Sequence, residues 1–269
     1  MNNQGAYLYC FAFSASVPDG SLTETEGQKV LIKKVKALAA VYRLVSLDEF
    51  AGETGESNMR DPYWVISGAC LHERVVEKAM NCSPVVPARF GTVFSSMQAL
   101  EEFIGRRHDE IFRGLEYVSD KEEWCVKVFA DTGKIVERLL AMEPVLVQQG
   151  ARMSDSPGAR YFQQKQLQRE AQRRSRSLCR TVAEHFAEEL KNISTDLRLL
   201  NLRSENHPGA GPEMILNCAV FLPRSRLDDL RLRLAGICAE YGPQGFVQRT
   251  SGPWPPYNFC PSLQDFSNP

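Results

Sequence analysis

Pro84-Val85-Val86-Pro87-Ala88-Arg89-Phe90-Gly91-Thr92-Val93-Phe94 is flanked by two helical patterns and carries the alternation of a strand. In an extended chain Val86, Ala88, Phe90, Thr92 and Phe94 share one face, and Val85, Pro87, Arg89, Gly91 and Val93 the other. The two prolines suit an edge or entry strand, where a ladder donor is dispensable. Arg89 stands among apolar residues ahead of a glycine, so its charge must be paired or reach a surface. The expected partner is an acid such as Glu73 on the preceding helix, a pairing that would lock helix to sheet.

Working back from this stretch, Asp61-Pro62 reads as a helix start, with Asp61 as N-cap and Pro62 at the first helical position. Trp64, Gly68, Leu71, Val75 and Ala79 keep helical spacing as far as Met80. Residues 51–60 and 14–27 are polar and read as loops. Lys29–Val35 and Leu38–Leu47 predict a hairpin, and Ala6–Phe13 an aromatic-rich strand. Forward of the stretch, Ser95 with Gln98 three residues on predicts a capping box, leading a helix with its stripe at Leu100, Phe103, Ile104, Ile111 and Leu115.

A second unit is expected from about Ser119-Asp120-Lys121. It opens with the strand Trp124–Ala130, then a helix capped by Asp131. Ser156-Pro157 starts a long helix running to about Leu190. Strands at Thr195–Arg203 and Met214–Leu222 follow, separated by a turn over 204–213. A helix capped from Ser225 ends at Gly242-Pro243, and a last strand runs from Gly245 to about Ser251. Leaving the long helix aside, this is the order of the ferredoxin-like split βαβ fold. There the first and third strands are central, and 124–130 and 214–222 are the most apolar strands of the unit. The expectation is therefore an α+β protein of two domains. Residues 1–120 form an N-terminal α+β domain. Residues 121–269 form a ferredoxin-like C-terminal domain with an extra long helix and a Pro-rich tail.

A net charge of −1 over 269 residues argues against a generally nucleic-acid-binding chain. Eight cysteines, none CxxC-spaced and most within apolar runs, read as buried thiols. The N-terminus lacks a basic segment followed by an apolar core, and no run approaches the ~20 apolar residues of a membrane span, so a soluble cytoplasmic protein is expected. His72-Glu73 would need histidine at position 76 for a zinc helix and has Val76. Cys70, His72 and Cys82 match no familiar metal spacing, and His108-Asp109 and Glu184-His185 are helix neighbours that should point apart. Neither a phosphate loop nor a nucleophile elbow is present. No catalytic residue, metal site or cofactor site is expected. The strongest electrostatic feature lies between Arg160 and Arg180, where seven basic residues face one acid, Glu170.

Several segments in order resemble the gas vesicle protein family GvpL/GvpF. They are Gly5-Ala6-Tyr7-Leu8-Tyr9, Leu38-Ala39-Ala40-Val41, Trp64 with His72-Glu73-Arg74-Val75-Val76, the 84–94 stretch, Glu123-Trp124-Cys125-Val126-Lys127-Val128, Ser156-Pro157-Gly158-Ala159-Arg160-Tyr161, and the tail Gly252-Pro253-Trp254-Pro255-Pro256-Tyr257-Asn258-Phe259. Ala88 departs from the family, which more often carries a different residue there. The resemblance implies a non-enzymatic accessory or shell-associated protein of gas vesicles, cytoplasmic and vesicle-associated. Its implied partners are the small shell protein GvpA and other accessory Gvp proteins, with no nucleic acid and no membrane among them. Candidate partner-binding residues are Arg89, Phe90, Arg169, Arg173, Arg176, Trp254 and Tyr257. Two alternatives remain: a small-ligand or enzymatic domain on a ferredoxin-like scaffold, with polar groups converging near Arg89, His72 and Glu73, and nucleic-acid binding through the Arg-rich helix.

Overall fold

The structure is a computed structural model and describes residues 3–18, 21–25, 27–202 and 211–260. Its strands are β1 (Gln4–Phe13), β2 (Ser21–Thr25), β3 (Gln28–Val35), β4 (Leu38–Ser46), β5 (Val85–Pro87), β6 (Val93–Phe94), β7 (Lys121–Ala130), β8 (Asp196–Leu199), β9 (Glu213–Pro223) and β10 (Phe246–Trp254). Its helices are α1 (Gly52–Arg60), α2 (Pro62–Met80), α3 (Met97–Val118), α4 (Thr132–Met142), α5 (Pro144–Ala151), α6 (Pro157–Ile193) and α7 (Leu227–Tyr241). They form two compact units. The first holds the chain up to Glu123 together with the tail from Pro253, and the second holds Trp124–Gly252.

In the first unit the sheet runs β2-β3-β4-β1-β5, with β6 also pairing β1. β1 is interior and buried from Gly5 to Ala12, as its unbroken apolar and aromatic composition requires. Ala6, Leu8 and Phe11 pack with Leu100, Phe103, Ile104, Ile111 and Leu115 of α3. Tyr7, Tyr9, Cys10 and Ala12 pack with Val75, Val76 and Ala79 of α2. Strict alternation would send Tyr9 and Cys10 to opposite faces. A β-bulge prevents it: Leu8 pairs with Tyr42 and Cys10 with Val41, leaving Tyr9 without a partner in β4.

The 84–94 stretch is not one strand. It pairs antiparallel with β1 at both ends, Phe11 with Val86 and Tyr7 with Val93, and turns outward between them. Gly91 adopts φ of 85°, a left-handed conformation that suits glycine, and the Thr92 N–H donates to Arg89 O at 3.1 Å. Alternation alone cannot register such an excursion, because it keeps the ladder on either side: Ala88 N donates to Tyr9 O and Leu8 N to Thr92 O. Other expectations shift locally. The 51–60 loop contains α1, and the 14–27 loop contains β2. Ser96 rather than Ser95 caps α3, accepting from Ala99 N at 3.1 Å. Ser225 lies in a 3-10 turn before α7 instead of capping it. Most of the turn expected at 204–213 lies outside the described residues.

In the second unit the sheet order is β10-β7-β9-β8, so its first and third strands are interior. Val126, Val128 and Ala130 of β7 and Leu216, Cys218, Val220 and Leu222 of β9 form one apolar face. Ile135 of α4, Val182, Phe186, Leu190 and Ile193 of α6, and Leu230, Leu234 and Ile237 of α7 cover it. Only the second half of α6 supplies that cover. The helix is 37 residues long, about 55 Å at the usual rise. Its first half meets α5, an element not anticipated from sequence, through a small cluster of Val136, Leu146 and Ala171. The tail expected with this unit packs instead in the first.

The division of α6 into a core half and a peripheral half makes a prediction. Phe186→Ala should cost about 3–5 kcal/mol in urea unfolding, as for a large buried aromatic. Leu232→Ala on exposed α7 surface should stay within about 0.5 kcal/mol. Equal effects would contradict the packing.

Candidate functional site

α2 begins where its sequence says it should: the Asp61 carboxylate accepts from Tyr63 N at 2.9 Å, with Pro62 following. This start carries His72 under the sheet, where it is buried. Tyr7 Oη lies 2.8 Å from His72 Nδ1, and His72 Nε2 lies 3.1 Å from Ala88 O. The carbonyl can only accept, so Nε2 carries the proton and Nδ1 accepts from the Tyr7 hydroxyl. The same hydroxyl accepts from Gly91 N at 3.2 Å. One relay thus joins β1, α2 and both sides of the 88–92 turn. Burial lowers the His72 pKa to about 4, partly countered by the Ala88 carbonyl. Burial also raises that of the Tyr7 hydroxyl.

The tail closes over this relay. The Tyr257 ring lies 6.5 Å from that of His72, and its hydroxyl bonds the Glu73 carboxylate. Burial raises the Glu73 pKa, and it raises that of Tyr257, where the Glu73 charge adds to the effect. Asn258 donates twice to the buried carboxylate of Glu123, from its backbone N at 3.1 Å and from Nδ2 at 2.5 Å. Phe259 is buried. Two distant sequence segments, the Arg-Phe-Gly-Thr turn and the Pro-Pro-Tyr-Asn-Phe tail, therefore meet around His72.

Arg89 does not pair with Glu73, whose carboxylate is taken by Tyr257. Arg89 is exposed on the turn, because the excursion at 88–92 carries it off the helix-facing side. Phe90, beside it, turns inward. Its ring lies 6.3 Å from Tyr7, 6.1 Å from Trp64 and 6.2 Å from His72. Gly68 permits this, since a Cβ there would come within 2.9 Å of the Phe90 ring. Phe90, Trp64, Phe50 and Tyr7 line a cleft of about 510 Å³ that also receives Tyr9 and Arg43. His72 is walled behind the rings, Arg89 lies outside the cleft, and Glu73 faces the tail, so the polar convergence expected of these three is not what the cleft offers.

In the second unit, Arg169, Arg173 and Arg176 are exposed on α6. Arg173 is drawn to Glu170, with Nε 3.0 Å from its carboxylate. Arg174 bridges Glu170 and Glu143 of the α4–α5 junction. Arg169, Arg176 and Arg180 form no ion pair among the described residues and repeat at helical spacing on one face, with exposed Phe162 at its N-terminal end. His108 and Asp109, expected to diverge, meet at 2.9 Å, and His185 bonds the Tyr241 hydroxyl at 3.0 Å. No cluster of three or more metal-ligating side chains occurs among the described residues, and no described helix is long and apolar enough to cross a membrane.

The family described as "Gas vesicle synthesis protein GvpL/GvpF" matches residues 5–261, a span that takes in both units and the tail. The chain belongs to the GvpL/GvpF family. Gas vesicle protein L2 of Halobacterium salinarum is 23% identical over 270 residues, covering 97% of this chain and 93% of that protein. Gas vesicle protein L of a Streptomyces species is 24% identical over 261 residues, covering 96% and 92%. The fold is similar to the crystal structure of GvpF from Anabaena, with TM-score 0.68 at 18% identity over 95% of this chain and 98% of that one. GvpF from Microcystis aeruginosa gives 0.61 at 19% identity. Membership places this mixed α/β protein, with its two antiparallel sheets, in gas vesicle assembly.

The His72 relay sets a pH dependence. Its folded pKa lies below the unfolded value of 6.5, so the stability it contributes is complete above pH 6.5 and is lost as pH falls towards about 4. Glu73, with a raised pKa, works in the opposite sense as pH rises above 4.5. Comparison with His72→Gln cancels that effect. The wild type should lose about 3 kcal/mol more than the variant between pH 7 and pH 4 in chemical denaturation. Parallel profiles would contradict the neutral buried imidazole.

Proposed function

We propose that this protein acts in gas vesicle formation without catalysis, by binding the shell protein GvpA and other accessory Gvp proteins while the shell is built. It does so in the cytoplasm and at the vesicle. The observation that carries this reading is the exposed basic face of α6. Arg169, Arg176 and Arg180 project to solvent from the outer face of a helix whose second half is anchored in the core. Unpaired guanidinium groups on a rigid element favour an acidic or carbonyl-rich partner surface. Exposed Tyr161 and Phe162 beside them supply apolar contact. We read the second unit as a ferredoxin-like domain, which the strand order β10-β7-β9-β8 supports. That scaffold is used by proteins of many kinds, so function is argued from the helix face and the family. A non-catalytic role also fits His72, whose two ring nitrogens are both committed to structural hydrogen bonds.

The test is co-purification of GvpA and accessory Gvp proteins with the tagged chain, with and without Arg169→Glu and Arg176→Glu together. Binding should fall by roughly tenfold or more and weaken with salt, while helical circular dichroism is unchanged. Equal recovery of GvpA by both forms would remove the basic face from the account. Recovery of nucleic acid in place of Gvp proteins would replace the reading.

A further inference from the structure

The cleft on the α2 side of the first unit has a chemistry of its own. Its wall is aromatic, with Phe50 and Trp64 rings 5.5 Å apart and Trp64 and Phe90 rings 6.1 Å apart. At its base the Arg43 guanidinium lies 5.2 Å over the Tyr7 ring, which holds it in place. Arg43 forms no ion pair among the described residues. Its Nε and the hydroxyl of Tyr9, a residue only 1% exposed, are both buried without a hydrogen-bond partner of good geometry. Tyr9 reaches the cleft because the β1 bulge turns it there. The two groups are neighbours, but a guanidinium only donates, so it leaves the buried hydroxyl proton and its own Nε without an acceptor, and a ligand bringing acceptors to both removes that cost.

A carboxylate is that ligand. It accepts from a guanidinium with matching charge and planarity, and from a hydroxyl. Two acids, Glu49 and Asp61, also line the cleft. Asp61 spends an oxygen on the α2 N-cap. Their charges disfavour a second anion and favour a cation beside the first. Apolar bulk fits against the rings.

We propose that this cleft binds an amino-acid unit by its free carboxylate, with Arg43 and Tyr9 as the carboxylate-reading residues and an apolar side chain against Phe50, Trp64 and Phe90. The unit is either a free amino acid or the C-terminal residue of a chain. The probes are small and partner-free, so the outcome is separate from that of the gas vesicle reading.

The experiment is a calorimetric titration of the full chain with phenylalanine, phenylalaninamide and acetyl-Gly-Gly-Phe. Phenylalanine or acetyl-Gly-Gly-Phe should bind at least about tenfold more tightly than phenylalaninamide, the span of one good charge-assisted bond. Tighter phenylalanine identifies a free amino acid, helped by its ammonium near Glu49 and Asp61. Equal or tighter acetyl-Gly-Gly-Phe identifies a chain terminus. Arg43→Met should abolish the preference for acid over amide, and Arg43→Lys should keep part of it. Tyr9→Phe should weaken binding with little change in melting temperature, because the neighbouring Arg43, a donor only, leaves the hydroxyl proton without an acceptor. Equal binding of acid and amide overturns the proposal, as does no binding of any probe. A fall in stability in Tyr9→Phe with unchanged affinity also overturns it.

Discussion

A neutral imidazole inside an apolar layer is tolerable only when both its nitrogens are satisfied, and His72 meets that condition through groups from three separate segments. Tyr7 comes from the interior strand, Ala88 from the turn that interrupts β5 and β6, and the ring itself from α2. The requirement runs both ways. The turn must leave the ladder so that Ala88 O faces the helix and Gly91 N reaches Tyr7 Oη. The tail then seals the layer, with Tyr257 on Glu73 and Asn258 on Glu123. The excursion that satisfies His72 also swings Phe90 inward over Gly68 and sets one wall of the aromatic cleft. Packing and the candidate binding surface of the first unit thus share one cause.

The parts legible in the sequence are those governed by local chemistry. Asp61-Pro62 announced α2, Asp131 the start of α4, and Ser156-Pro157 the start of α6. The two most apolar strands of the second unit are its interior ones, as burial on both sides demands. What local chemistry could not reveal is where alternation is broken by a distant need. The 84–94 stretch alternates well enough to pass for a strand, and nothing within it says that a histidine on the preceding helix claims the Ala88 carbonyl. The bulge at Tyr9 is hidden in the same way, since every residue of β1 there is apolar or aromatic on either face. Glu73, on the helix before the stretch, is the acid expected to pair Arg89, whereas its actual partner, Tyr257, lies at the far end of the chain. The tail itself looked like an appendage of the second unit because it follows the last strand directly.

Of the residues singled out from sequence, Phe90 and Tyr257 belong to the layer around His72, and Arg169 and Arg176 to an open helix face. Arg173 is engaged with Glu170, and Arg89 stands on the surface of the turn. Arg43 and Tyr9 are not among them. An arginine in a strand reading Val41-Tyr42-Arg43-Leu44-Val45 gave a signal, a charge in an otherwise half-buried strand, comparable to that of Arg89. Only the fold shows which of the two arginines lies in the cleft.

The state of the His72 ring tests the account most directly. Nitrogen-15 NMR of the imidazole should show the neutral form with the proton on Nε2 at pH 6, an Nε2–H protected from solvent exchange, and no titration near pH 6.5. A ring that titrates near 6.5, or that carries its proton on Nδ1, would contradict the relay and with it the reason offered for the turn, the inward Phe90 and the cleft.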